Sequence, residues 1–202
     1  NVLDTDKYKP LDKKNAKELF GLNSNKKTIL FGAVNVNSPY KGWEYLKECI
    51  RKLDKDKYEC LVFGYVDEKP FEGLDIDVHF TSYLSDDYSM ILVYNASDVF
   101  VSSSLADNYP NVIVEAMSCG LPIICSNVYE NPYIVEEGVN GFLFDPNKPE
   151  DIAGAVSKMV GLSHGERQEM GKRNRQLCLE RNTEDAFLKS YIDVIRNLYV
   201  NE

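Results

Sequence analysis

The stretch that most limits what this chain can fold into runs from residue 98 to residue 126, DVFVSSSLADNYPNVIVEAMSCGLPIICS. Two apolar runs, residues 99–101 and 121–125, have the length and β-branched content of buried strands, and residues 111–119 between them carry helix formers closed by Gly120. The unit therefore reads strand, loop, helix, strand. Its loop, residues 102–109, holds three serines, Asp107 and Asn108, and Pro110 suits the first helical turn, where its missing N–H costs nothing. Polar groups are thus presented above the carboxyl end of a strand, beside the unpaired N–H groups of a helix start. In an open parallel sheet ligands bind at that end, and a helix start attracts anions.

Asp107 and Glu115 stand eight positions apart, one in the loop and one about two turns into the helix. A carboxylate pair that accepts hydrogen bonds from neighbouring hydroxyls suits a sugar or a ribose. Spacing alone leaves a second reading open, in which Asp107 counters the helix dipole and Glu115 points to water.

The pattern S-x-x-D-N-Y-P-N-V-x-x-E-A-M-x-C-G-x-P-I, from Ser104 to Ile123, resembles the signature of the retaining GT-B-type glycosyltransferases, group 1 or family 4. That family has two Rossmann-like domains and includes many bacterial polysaccharide and lipid glycosyltransferases. The resemblance implies that Asp107 binds hydroxyls of a donor sugar and Glu115 the ribose of its nucleotide. It also implies backbone contacts to sugar and diphosphate from Asn108, Tyr109, Asn111 and Val112. The family usually has Glu where Asp107 stands, and the shorter side chain bears on which sugar is taken.

Composition narrows the classes. A length of 202 residues with 44% apolar and 27% charged side chains describes one globular domain with a sizeable core. A net charge of −9 argues against general nucleic-acid binding, so a phosphate ligand has to be held by local groups. No run approaches the roughly 18 apolar residues of a membrane span, and no secretory signal pattern is present. Cys49, Cys60, Cys119, Cys125 and Cys178 form no CxxC pair and sit in apolar segments, as reduced core thiols of a cytoplasmic protein do.

Residues 1–26 read as an irregular lead-in punctuated by Pro10, then a short helix from about residue 13 to 20 that Gly21 stops. Asn1, Asp4, Tyr8 and Pro10 match N-x-x-D-x-x-x-[FY]-x-P, which resembles the linker between the family's two domains. The resemblance implies a chain that starts at the domain junction, with an acceptor-binding half lying before it; a complete protein with a loose arm is the other reading. Residues 27–183 are then the donor-binding domain, and residues 184–202 a helix crossing toward the other half.

Residues 27–34 read as the first buried strand and residues 40–53 as an amphipathic helix with Trp43, Leu46, Ile50 and Leu53 inward. Lys41 sits where the helix dipole disfavours a cation by roughly 0.3–1 kcal/mol. An anionic partner explains it, and so does an exposed, tolerated lysine. The family commonly reads G-R-L…K-G here, with both basic residues on the diphosphate. Gly32 and Lys41 with Gly42 match, while Ala33 takes the arginine position, so one phosphate clamp is missing or replaced by asparagines such as Asn35 and Asn37.

Residues 58–64 and 78–80 read as strands joined by a loop in place of a helix, and Ser85 with Asp86 and Asp87 caps a helix to about residue 96. The resemblance puts residues 81–84 beside the nucleotide base; Tyr83 either stacks on the base or packs, and Leu84 follows it. His79, within a strand, reads as structural. A short helix over residues 129–138 and a strand over 142–144 follow, and residues 135–143 resemble the family's I-x-[DE]-G-x-N-G-x-L. Helices over residues 151–160, 166–180 and 184–199 close the chain. The last carries Phe187, Tyr191, Val194, Ile195 and Leu198 on an apolar face that the resemblance turns toward the other domain. Residues 166–181 hold five basic and three acidic side chains, which suits a solvated helix face or, alternatively, a peripheral membrane contact.

The fold expected is α/β: a Rossmann-like, doubly wound parallel sheet with helices on both faces. The resemblance implies transfer of a hexosyl group from a nucleoside diphosphate sugar to a hydroxyl of a saccharide or lipid-linked acceptor, with retention, in polysaccharide or glycolipid synthesis. Asp107 orients the sugar, while Lys41 and helix amides near Asn111 stabilise the departing diphosphate. No cofactor, metal or nucleic acid is expected, the location is cytoplasmic or peripheral at the inner membrane face, and the chain alone is expected to bind nucleotide weakly without turnover. A sugar-nucleotide epimerase of similar fold and a non-catalytic nucleotide-binding domain are the alternatives, whereas the absence of GxGxxG after the first strand disfavours a dehydrogenase.

Overall fold

The apolar runs become strands of one parallel sheet. The computed structural model describes residues 1–35, 41–65, 67, 71–105 and 110–199. The strands are β1 (Lys27–Asn35), β2 (Tyr58–Tyr65), β3 (Val78–Phe80), β4 (Val99–Ser102), β5 (Ile123–Ser126) and β6 (Gly141–Phe144), in the order β3-β2-β1-β4-β5-β6. Every pairing between them is parallel. The helices are α1 (Lys13–Leu19), α2 (Trp43–Ile50), α3 (Asp87–Asn95), α4 (Asn111–Ser118), α5 (Asn131–Ile134), α6 (Pro149–Gly161), α7 (His164–Arg181) and α8 (Glu184–Tyr199). The doubly wound sheet expected from the sequence is the one observed.

Alternation along the strands builds two apolar layers. Leu30, Leu61, Phe63, Phe100, Ile123 and Cys125 pack with α3, α4 and the second half of α7 on one face. Ile29, Phe31, Cys60, Val62, Val101 and Ile124 pack with α2 and α6 on the other. Strands covered on both sides must be apolar at nearly every position, which is why the runs are continuous rather than alternating with polar residues. The connection from β2 to β3 contains no α-helix among its described residues. Phe71 from that connection instead stacks on Trp43 at 4.0 Å and on Phe31 at 5.9 Å, covering the sheet where a helix would have lain.

Several element ends differ from expectation for local reasons. Pro110 is the N-cap of α4, with φ −71° and ψ 109°, rather than a residue of its first turn. The helix expected from residue 40 starts at Trp43, after Gly42 in the left-handed region at φ +64°. Asp86, not Ser85, caps α3 by accepting the Ser89 amide, which leaves Asp87 for another contact. Ser163 and Glu166 form a reciprocal capping box, so α7 begins two residues before its expected start. Gly120 does close the α4 unit: at φ +81° its amide bonds the Met117 carbonyl while Leu121 bonds Ala116, the paired contacts of a Schellman end.

The lead-in is docked rather than loose. The Leu3 amide bonds the Asn182 carbonyl, the Leu11 amide bonds Asn95 Oδ1 at 2.6 Å, and Tyr8 is buried in the first apolar layer. Beneath the amino ends of the strands, Lys17 is 4% and Glu59 1% exposed. Lys17 Nζ donates to the Lys26 carbonyl at 2.7 Å and lies 3.4 Å from Glu59 Oε1 and 3.6 Å from Asp98 Oδ2. Glu59 also accepts from Thr28 Oγ1 at 2.8 Å and sits 3.4 Å from His79 Nε2, the structural partner expected for that histidine.

Removing one partner of a buried charge pair strands the other. Lys17→Met should destabilise the chain by about 3–5 kcal/mol in urea denaturation. Adding Glu59→Gln, which removes the uncompensated charge, should recover a large part of that loss; a double variant no better than the single one contradicts this account.

Candidate functional site

The strand order reverses between β1 and β4, so the chain leaves these neighbours toward opposite edges of the sheet and α2 and α4 cover opposite faces. In open α/β sheets the ligand crevice lies at such a reversal, beyond the carboxyl ends of the two strands and between the segments that follow them. Residues 36–40 and 106–109 of these loops lie outside the described residues. The expectations for Asp107, Asn108, Tyr109 and Asn37 fall there.

Lys41 stands at the mouth of this crevice, half-buried rather than exposed on the surface. Its Nζ donates to Ser104 Oγ at 2.9 Å, and its carbonyl accepts from Ser103 Oγ at 2.5 Å. The loop after β1 is thereby fastened to the end of β4. A Cβ at position 42 would fall 2.2 Å from the Ser103 carbonyl oxygen, so the close approach and the positive φ both require glycine there.

Beside α4, a cleft of about 200 Å³ is walled by Glu115, Val112, Tyr83, Leu84, Asp87 and Tyr8. Four of the expected donor-site residues thus share one wall system. Glu115 Oε2 accepts from the Tyr94 hydroxyl at 2.8 Å, and burial holds the Glu115 carboxyl above its ordinary range; the Tyr94 bond opposes that rise and the Asp87 charge adds to it. The reading in which Glu115 points to water is thereby corrected. Tyr94 is itself buried, which with the Glu115 charge keeps its hydroxyl protonated as a donor. Tyr8 donates to Asp87 Oδ1 at 3.0 Å, and Lys7 reaches Asp87 Oδ2 at 2.6 Å, holding that carboxyl below its usual range.

Tyr83 is 44% exposed and stacks on Tyr65, with centroids 4.7 Å apart and planes 7° from parallel. It packs, and it also borders the cleft. The turn before it is held in place: Ser82 has φ +60°, and its carbonyl accepts from the Gly64 amide at 3.0 Å. Asn111 does not reach into the crevice by its side chain, since its Oδ1 accepts from Asn1 Nδ2 at 2.7 Å. Gly32 has a packing reason of its own, because a Cβ there would lie 2.4 Å from the Phe63 carbonyl oxygen of β2.

The sequence reading missed Tyr94 and gave Tyr8 and Asp87 no place in the site. The available signal was Glu115 itself, the one charged residue in a mostly apolar α4, which needs a donor when partly buried. A larger cavity of about 340 Å³ opens at the other end of the sheet, beside Leu11, Tyr94, Leu121 and Gln168. It lies near the carboxyl ends of α3 and α4, and Lys13, Lys172 and Arg175 also line it. Among the described residues, no cluster of three or more His, Cys, Asp or Glu side chains is arranged to hold a metal ion, and no helix is long and apolar enough to cross a membrane. All five cysteines are buried free thiols; burial pushes Cys49, Cys119 and Cys178 up to about 12, which makes them poor nucleophiles.

Compared with known proteins, residues 13–177 match the sequence model of the family described as glycosyl transferases group 1. An uncharacterized glycosyltransferase of Methanocaldococcus jannaschii, MJ1607, is 25% identical over 193 residues, which cover 92% of this chain and 48% of that protein. The chain spans half or less of the length of the curated relatives it matches first. Alr3699/HepE of Anabaena, solved in complex with UDP and glucose, superposes with a TM-score of 0.82 at 19% identity, over 98% of this chain and 56% of that one. The C-terminal domain of a glycosyl transferase group 1 family protein, LpcC of Francisella tularensis, superposes with a TM-score of 0.76 at 18% identity, over 90% of this chain and 99% of that one. At these identities the two structures establish the fold.

The raised Glu115 carboxyl makes folding pH-dependent. A group whose folded pKa lies above its unfolded value of about 4.5 contributes stability that is complete below that pH and is lost as pH rises through the folded value. Glu115→Gln keeps an acceptor for Tyr94 and cannot ionise. Its unfolding free energy relative to the wild type should therefore improve as pH is raised from about 4 to about 7; a difference that stays flat with pH overturns the assignment.

Proposed function

The chain belongs to the glycosyl transferases group 1 family, and from that premise we propose that it is the donor-binding half of an enzyme that transfers a hexosyl group from a nucleoside diphosphate sugar. One observation carries the reading. A hydrogen-bonded cation, Lys41, is tied to Ser104 just past the end of β4, and a partly buried carboxylate, Glu115 of α4, lines the adjoining cleft, at the part of the sheet where its strand order reverses. Anion and polyol recognition are thus provided side by side. The likeness to a structure solved with UDP and glucose supports a nucleotide-sugar donor.

In this reading Glu115 accepts hydrogen bonds from the ribose hydroxyls, and Tyr94 fixes which of its oxygens is presented. The base lies toward Tyr83 and Leu84. As the glycosidic bond to the diphosphate breaks, negative charge grows on the leaving group, and Lys41 with the amides at the α4 start meets it from fixed positions. Such donors do not have to reorganise as the charge develops. Asp107 orients the sugar, transfer proceeds with retention, and no metal ion is required. The acceptor, a saccharide or lipid-linked hydroxyl in polysaccharide or glycolipid synthesis, is bound by a second domain against the exposed apolar face of α8. An epimerase is less well supported, because neither of the chain's two histidines lines the cleft.

Calorimetric titration with UDP, GDP and ADP tests the reading. One nucleotide should bind, and Glu115→Ala and Lys41→Ala should each weaken it about 10- to 100-fold, the range for loss of a charged hydrogen bond. Equal binding by both variants, or no binding of any nucleotide at millimolar concentration, contradicts it.

A further inference from the structure

The end of β4 carries three consecutive serines, Ser102, Ser103 and Ser104, and all three are buried, Ser104 at 5% exposure. Buried hydroxyls need partners. Two of these find theirs on the far side of the crevice: Ser103 Oγ donates to the Lys41 carbonyl at 2.5 Å, and Ser104 Oγ accepts from Lys41 Nζ at 2.9 Å. Both the backbone and the ammonium of one residue are therefore held by adjacent hydroxyls. The brace continues into the sheet. Ser126 Oγ in β5 donates to the Ser104 carbonyl, and Asn131 Nδ2, buried at the start of α5, donates to the Ser126 carbonyl at 2.9 Å. Gly42 permits the contact, since any side chain there would collide with the Ser103 carbonyl.

We propose that Ser103 and Ser104, braced by Ser126, are positioning residues that hold the Lys41 ammonium at the crevice mouth, so that affinity for the donor diphosphate depends on a hydroxyl at position 104. This rests on the reading of Lys41 as a diphosphate-binding residue. A lysine has a long flexible stem, and fixing it only when the ligand arrives would subtract its lost rotamer freedom from binding. Here the ammonium is fixed by the fold beforehand. Lys41 is thus presented by a frame that crosses β4 and β5, two strands that carry none of its own chain segment.

A double-variant cycle tests this, with calorimetry on UDP, GDP and ADP and the tightest of them carried forward. Ser104→Ala should weaken binding about 3- to 10-fold. The same change in a Lys41→Ala background should produce no further loss, and Ser104→Thr, which restores the hydroxyl, should bind like the wild type. Competitive acetylation read by mass spectrometry adds a measure that needs no ligand: Ser104→Ala should raise the labelling of Lys41 several-fold relative to Lys52, a surface lysine beyond α2. If Lys41→Ala weakens binding and Ser104→Ala does not, the positioning role fails and the donor-site reading stands. An equal loss in both backgrounds, or unchanged Lys41 labelling, also overturns the positioning role. If Lys41→Ala leaves affinity intact, the diphosphate role of Lys41 fails, and the positioning proposal with it.

Discussion

The parallel pairing of β1 with β4 is the contact on which the rest of this structure depends. It consists of three register pairs, Ile29 with Val99, Leu30 with Phe100 and Phe31 with Val101. From that seam the chain builds outward in both directions, through β2 and β3 on one side and β5 and β6 on the other. Right-handed crossovers that travel in opposite directions must cover opposite faces. The separation of α2 and α6 from α3 and α4 is therefore a consequence of the seam. A slip of one residue would send Ile29 and Phe31 to the face built for Leu30 and break both apolar layers, so the register is strongly specified.

The wall of the cleft beside α4 is assembled from segments far apart in the chain and held by buried polar groups. Tyr8 illustrates how. Its carbonyl accepts from Ser118 Oγ at 2.6 Å and from an Arg175 guanidinium nitrogen at 2.7 Å, while its hydroxyl reaches Asp87. Backbone anchoring from α4 and α7 thus aims a side chain from the lead-in at the start of α3. Through Tyr8, the lead-in forms part of the cleft wall. Glu115 depends on the same logic, because its desolvation is tolerable only with Tyr94 donating to it.

What the sequence disclosed follows the range of the physics involved. Buried parallel strands need continuous apolar runs, and residues 27–34, 58–64, 99–101 and 121–125 announced them; helix ends depend on which side chain wins a local competition, and there Ser85 lost to Asp86 and Pro110 fell one position short of the helix. Glu115 and Lys41 were legible because their residue types and spacing resemble a family pattern. Tyr94, Tyr8 and the serine brace were not, because a tyrosine in an apolar helix or a serine in a loop has no sequence mark until the fold supplies its partner. Asp107, Asn108 and Tyr109 lie outside the described residues, so the sequence remains the basis for their roles.

The electrostatics of the site resolve an apparent conflict in the composition. A chain of net charge −9 repels a diphosphate at long range, yet at about 0.15 M salt that repulsion is screened beyond about 8 Å. In the proposed reading the local field decides binding, and it comes from a lysine fixed in advance and from helix amides at the α4 start. Glu115 in α4 has its carboxyl held above the ordinary range, so the protein has left its negative charge under-solvated. Hydroxyl donors from a ligand would replace part of the lost hydration, lowering that carboxyl toward its ordinary range as they bind. In the proposed reading a fixed cation and an under-solvated carboxylate together select a ligand that carries both phosphate and a polyol, which neither group alone would distinguish from inorganic phosphate or a free sugar.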